Sequence, residues 1–285
     1  MALQGSGQIS LADIQTEFGG SNPISLNEYY LNGLYVTSNN TGVPTSGVIS
    51  LSQFYSTTAQ FSFTISSNYS TPQDLRTLAL AAGWDGTDYL VVTNSAIISS
   101  NTTASAALTI SGSFPNGVLL INNGTIVGMG GHGGYAEGNG GTTAGYAGGS
   151  AILVSSNTSI NNAGTIAGGG GGGSSSTSFG WSGTILTGGG GGGASGLTAA
   201  GAGFCYYNST AQPSQYNAGT GLYSTGGATS PGYISGVVAP QAGYGGSWGS
   251  AGGAGGYGGG AGGAAVSGNS YVTWVATGTR YGALV

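Results

Sequence analysis

The sequence predicts a mainly β and irregular protein with a small N-terminal helical module, a β middle section and a C-terminal polyglycine-II helix sandwich. Three observations carry that prediction. The tripeptide Ile-Ser-Leu recurs at residues 9–11, 24–26 and 49–51. Apolar residues alternate through Phe61, Phe63 and Ile65 and return in short runs as far as Val127. Glycine then takes every third position over stretches of the C-terminal half. The expected divisions are residues 1–58, 59–127 and 128–285.

In each Ile-Ser-Leu copy the serine is placed to cap a helix, with Asp13, Glu28 or Gln53 three residues on, the spacing of a capping box. Three short capped helices are therefore expected. Their apolar residues Leu11, Leu26, Leu51 and Phe54 offer little for an independent core, because modules this small are marginal alone. The 59–127 section should open with a half-buried strand at Phe61–Ile65. A helix is expected from Thr71, with Pro72 in its first turn, Leu75, Leu78 and Leu80 on its apolar face, and Gly83 as its stop. Strands are expected over 89–98, 104–110 and 118–127, separated by Asn, Ser, Thr and Gly.

Two leads nearly repeat, Ile121-Asn122-Asn123-Gly124-Thr125-Ile126 and Ile160-Asn161-Asn162-Ala163-Gly164-Thr165-Ile166, with a shorter echo at Gly183-Thr184-Ile185-Leu186. Each runs into glycines, which points to a repeated structural unit. Gly243, Gly246, Gly249, Gly252, Gly255 and Gly258 form one column while Trp248, Ala251, Ala254 and Tyr257 form another; Gly128, Gly131 and Gly134 alternate likewise with Met129, His132 and Tyr135. A period of three belongs to the extended left-handed helix, which makes no hydrogen bonds within itself. Seven prolines cannot supply collagen. The backbone bonds must then run between neighbouring glycine rods, whose bare faces allow close approach, with a closing strand through 271–276. Disorder is disfavoured by a 39% hydrophobic and 3% charged composition.

The chain carries seven Asp and Glu, two Arg, one His and no Lys, too few titratable groups to assemble acid–base or nucleophilic catalysis, so no enzyme is expected. Two cations and a pI of 4.1 exclude nucleic acid as a partner. No stretch approaches the roughly 20 apolar residues of a membrane span, so no membrane insertion is expected. Residues 1–10 lack the features of a secretory signal, which implies synthesis in the cytoplasm. The single Cys205 allows no intrachain disulfide. His132 and Glu137 alone do not make a metal site, and no metal or cofactor is expected.

The lead Ile160–Ala167 with its six glycines resembles the polyglycine-sandwich receptor-binding adhesins of T-even-like bacteriophage tail fibres, and the likeness covers residues 117–285. The Ile-Ser-Leu repeats, and the stretch from Tyr271-Val272-Thr273-Trp274 to Gly278-Thr279-Arg280-Tyr281-Gly282, resemble phage tail structural proteins. The resemblance implies a tail-fibre tip adhesin in which glycine rods hold loops that touch a bacterial outer-surface protein or polysaccharide. Residues 1–58 would then attach to other tail-fibre or tail proteins of the virion. The chain either forms a homotrimer or caps a trimeric fibre, and the sequence leaves both open.

Tyr135, Phe179, Trp181, Phe204, Tyr206, Tyr207, Tyr216, Tyr223 and Tyr233 fall between glycine runs and are the candidate receptor contacts. Tyrosine and tryptophan combine large contact area with few rotatable bonds. An ice-binding protein with the same rod packing is the alternative; it needs a flat face of Thr or Ala, which aromatic segments would interrupt. A tail-spike depolymerase would need acidic residues that the chain lacks.

Overall fold

The computed structural model describes residues 3–36, 40–135, 143–176, 179–181, 184–187, 190, 192–201, 206–207, 210–211, 227, 233–234, 237–238 and 241–285. At the N-terminus, Ser10 caps helix α1 (Leu11–Phe18) by a capping box with Asp13. The second and third repeats make the same box but only single 3-10 turns, Leu26–Glu28 and Leu51–Phe54. Only the first repeat continues with a second apolar turn, Ile14 to Phe18, that a helix can bury. The module does gather a core of its own, contrary to expectation: Ile14, Phe18, Tyr29, Val36, Val43 and Phe54 are buried together, with Leu11, Leu26 and Leu51 packed around them. The core comes chiefly from side chains outside the repeated tripeptides.

The chain then coils into a parallel three-sided solenoid. Strands β1 (Gln60–Ile65), β3 (Tyr89–Asn94), β6 (Val118–Asn122), β9 (Thr158–Asn162) and β18 (Val272–Ala276) form a five-stranded parallel sheet. A second side stacks β4 (Ile97–Ser99), β7 (Thr125–Val127), β10 (Thr165–Ala167) and β19 (Thr279–Tyr281). The third stacks β2 (Gln73–Asp74), β5 (Leu108–Ile110), β8 (Ile152–Val154) and β17 (Val266–Ser267). Inward residues of all three sides, among them Leu90, Ile98, Leu108, Leu120, Ile126, Ile152, Ile160 and Ile166, are fully buried in one core. That core also takes in Ala265 and Val266, so it runs across the expected division at residue 128.

The expected strands at 89–98 and 118–127 are each two strands meeting at a corner. The corners explain the repeated leads. Asn94 donates to Asn122 Oδ1 (2.8 Å), Asn122 to Asn162 Oδ1 (2.7 Å), and Asn162 to Thr277 O (2.8 Å), a buried amide ladder along the coil axis. Backbones stack so tightly beside it that a Cβ on Gly124 would lie 2.1 Å from Ala96 O and one on Gly164 2.1 Å from Gly124 O. The echo at 183–186 is no such corner, because β12 (Thr184–Thr187) pairs antiparallel with β11 (Phe179–Trp181). The next corner of the coil lies instead at Gly278-Thr279.

Helix α2 (Leu75–Ala81) starts later than expected: Asp74, not Thr71, caps it by accepting from Thr77 N at 2.7 Å. Gln73 and Asp74 are held in the ladder with Leu108 and Thr109, which keeps Pro72 outside the helix. Leu75 and Ala79 are its buried face, while Leu80 is exposed.

Candidate functional site

Glycine rods leave the solenoid after β7 and β10 and return at β8 and β17. Residues 168–175 form the central rod, and its hydrogen bonds repeat every third residue toward six neighbours. Amides of Gly169, Gly172 and Ser175 donate to carbonyls of Gly149, Tyr146 and Thr143. Gly171 and Ser174 donate to Ser250 and Gly253, and Gly170 to Ala194. In return its carbonyls accept from Gly131 and Gly134, from Gly246 and Gly243, and from Gly263 and Gly260. A Cβ on any of Gly168–Gly173 would fall 1.8–2.1 Å from a neighbouring backbone atom, so no face of this rod tolerates a side chain. This is why the run is unbroken, whereas outer rods need glycine only on the columns that face a neighbour, two of three in the rod at 259–263. Ala251, Ala254 and Tyr257 are exposed, on the outward column as the phase predicts, whereas Trp248, expected on the same column, is half-buried before the turn at Gly249, and Gly258, expected on the glycine column, is exposed. Glycine serves here for its missing side chain: Gly249 is the only described glycine from 128 to 264 with a positive φ.

The rods run in both directions between two ends. Gly128, Gly149, Gly168, Gly249 and Gly263 meet at the solenoid end, while Tyr135, Thr143, Ser174–Ser176 and Gly255–Tyr257 meet at the far end. There the glycine run gives way to Ser174, Ser175 and Ser176, all fully buried. Ser174 Oγ donates to Tyr257 O (2.7 Å) and accepts from Gly255 N (2.7 Å), and Ser175 Oγ donates to Thr143 O (3.1 Å). Thr143 Oγ1 in turn accepts from Tyr135 N at 2.7 Å. Hydroxyls thus tie off the rod ends where glycine packing stops.

Of the predicted contact residues, Tyr135 is half-buried at this far end, its ring edge-on to Tyr146 at 6.0 Å. Tyr146 also meets His132 edge-on at 6.5 Å and is half-exposed. Tyr146 was missed by sequence reasoning, although pairing of Tyr146 N with His132 O brings two outward columns side by side. Tyr244 and Tyr257 are further exposed aromatics of the outer rods. Phe179 and Trp181 lie on β11, and Tyr206 and Tyr207 form β13, in an antiparallel sheet with β12 and β14 (Thr210–Ala211). Its register pairs Phe179 with Leu186 and Trp181 with Thr184, and Leu186 with Tyr207. Tyr233 lies on β15 (Tyr233–Ile234), paired with β16 (Val237–Val238). Phe204, Tyr216 and Tyr223 lie outside the described residues, as does Glu137. Segments expected as loops thus contain short antiparallel strands.

Charge plays little part in these surfaces. Arg280 is parked over Trp274 at 4.7 Å and Arg76 over Trp84 at 5.8 Å, each cation facing an aromatic ring. Among the described residues no group of three His, Cys, Asp or Glu is placed to hold a metal ion. No helix among them is long and apolar enough to cross a membrane. What the far end offers is aromatic area with hydroxyl and amide groups on a rigid support, an arrangement suited to contact.

None of the curated proteins matches the chain. A crystal structure of the gp37–gp38 adhesin tip complex of the bacteriophage S16 long tail fibre contains a similar chain, 24% identical with a TM-score of 0.60, matched over 100% of both chains. The phage tail fibre adhesin Gp38 family matches residues 60–285, so the likeness begins well before residue 117, where sequence resemblance placed it. The match takes in the whole coil, its amide ladder and the rods, and with it the chain belongs to the phage tail fibre adhesin Gp38 family.

Proposed function

We propose that this tail-fibre adhesin recognises a bacterial outer-surface protein or polysaccharide through the far end of its rod bundle, by contact and without catalysis. One observation supports this most. The chain leaves the described bundle at Tyr135, Ser176 and Gly201 and returns at Thr143, Gly190 and Gln241, and of these Tyr135, Thr143, Ser176, Gly190 and Gln241 lie at the end remote from the solenoid. In sequence, the predicted contact residues Tyr135, Phe179, Trp181, Phe204, Tyr206, Tyr207, Tyr216, Tyr223 and Tyr233 fall at or between these departures and returns. Recognition commonly sits on variable segments carried by a rigid scaffold. The ice-binding alternative is disfavoured because the outward column at 251–257 sets Tyr257 beside Ala251 and Ala254, which interrupts a flat face there.

The test is to exchange residues 177–187 and 202–240 for those of another member of the family and to measure which bacterial strains the purified chain binds. Strain preference should follow the exchanged segments. Preference that stays with the unexchanged remainder would defeat the proposal. Isolated protein is needed, because several fibres on one virion can hide losses of roughly 10²–10⁴-fold.

The N-terminal module is proposed to join the chain to another fibre protein, as the solved relative is a complex of gp37 with gp38. Leu34 and Val48 are 83% and 91% exposed on that module. Full-length L34D/V48D should still bind cells while failing to join particles. Normal incorporation would count against this role.

A further inference from the structure

Three stacked corner loops of the solenoid, joining β5 to β6, β8 to β9 and β17 to β18, enclose an open cleft of about 510 Å³. That is within the range of small-ligand sites. Phe114 and Tyr271 line it from the first and third loops, and Ser155, Ser156 and Asn157 from the second. The cleft lies on the corner between the third and first sheets. The rods spring from the other end of the third-side strands, so nothing here depends on contact at the far end.

The cleft is prebuilt and uncharged. Ser156 Oγ donates to Gly112 O at 2.6 Å and ties the second loop to the first. Phe114 is stacked on Trp84 with ring centroids 5.5 Å apart, which holds that wall in place. Arg76 lies behind the loop, donating to Ser113 O at 3.3 Å with its guanidinium over Trp84, and does not line the cleft. The Ser155 hydroxyl, the Asn157 amide and the Tyr271 hydroxyl have no hydrogen-bond partner among the described residues.

We propose that this cleft binds a neutral saccharide. The weakly positive C–H face of a sugar ring suits the negative faces of aromatic rings. Its hydroxyls match the free Ser155, Asn157 and Tyr271 groups, which both donate and accept. A phosphate or other anion would find no cation in the lining. An apolar chain would strip water from three polar groups and give no bond back.

The experiment is saturation-transfer NMR on the full chain with D-glucose, D-galactose and N-acetyl-D-glucosamine, each at about 20 mM, enough to populate sites of millimolar affinity. At least one sugar should show transfer, and titration should show Tyr271→Ala and Asn157→Ala each weakening it about ten-fold or more, as loss of a dominant contact does. Both residues are exposed, so the variants should keep the parent circular dichroism and melting temperature. Leu80→Ala, an exposed change on α2 outside both sites, should leave the transfer unchanged, and dependence on Tyr271 and Asn157 is what separates this site from the far end. Absence of transfer with all three sugars overturns the proposal. So does transfer that survives Tyr271→Ala, or a Tyr271→Ala chain that binds sugar as before but no longer assembles into particles, which would mark the cleft as a protein contact.

Discussion

At the scale of single residues, backbone proximity decides what the bundle tolerates. A Cβ on Gly252 would lie 2.1 Å from Gly172 O, whereas Ala251 next to it is exposed. Gly252→Val should therefore cost more than about 3 kcal/mol, at or above the upper end of overpacking effects. Ala251→Val should stay within about 0.5 kcal/mol, as surface changes do. Urea unfolding of the two variants checks this, and the reverse order would show that the glycine phase is misassigned. The asparagine ladder makes a second residue-scale prediction. Asn122 serves Asn94 on one side and Asn162 on the other, all three buried. Asn122→Ala leaves a donor and an acceptor unmet, at about 1–3 kcal/mol for each buried group. A loss of roughly 2–6 kcal/mol in urea unfolding is expected from that sum, and a neutral result would mean that water replaces the missing amide. The glycine phase was legible in the sequence because it is a local period. The ladder was not, because Asn122 and Asn162 recur within similar leads without revealing that they stack.

At the scale of elements, the capped starts were legible because a capping box closes within four residues. Each of Ser10, Ser25 and Ser50 does cap a turn. The start of α2 was misread because Thr71-Pro72 and Asp74 are both acceptable starts locally. Pairing of Gln73 and Asp74 with β5 decides between them, and that pairing is not local. The turn after α2 supplies a pH prediction. Burial pushes the Asp85 carboxyl up, but bonds from the Thr87 and Asp88 amides and the Thr87 hydroxyl together outweigh it and hold Asp85 below the ordinary range. A lowered folded pKa gives stability that is present above the unfolded value near 3.9 and is lost as pH falls through the folded value. The urea midpoint should thus hold from about pH 6 to pH 5 and fall below about pH 4. Asp85→Asn should narrow the drop between those limits. An unchanged drop would assign the acid sensitivity to other carboxylates, Asp13 first, since bonds from the Ser10 hydroxyl and amide lower it too.

At the scale of the whole molecule, the solenoid was the least legible feature, and its absence from the sequence reading has a physical cause. Alternation identifies a strand but not its partner, and β9 finds β18 only after the entire second set of rods has been inserted between them. The same insertion makes rods and coil one mechanical unit. Strand β10 runs directly into the central rod, and the rod at 258–264 runs directly into β17, so neither part can open without pulling on the other. The core at Leu120, Ile152 and Ile160 and the bonds of Gly169–Ser174 should therefore be lost together. In hydrogen exchange, central-rod amides from Gly169 to Ser174 should join the slowest class with those of β6 and β9, although they belong to no helix or ladder. A destabilising Gly171→Ala, whose Cβ would sit 1.9 Å from Gly260 O, should then speed exchange at Leu120 as well as in the rods. Protection set by one cooperative opening responds everywhere to a change anywhere within it, whereas separate units respond singly. Faster rod exchange in that variant with an unchanged Leu120 amide would mean two independent units, and would restore a real division near residue 128.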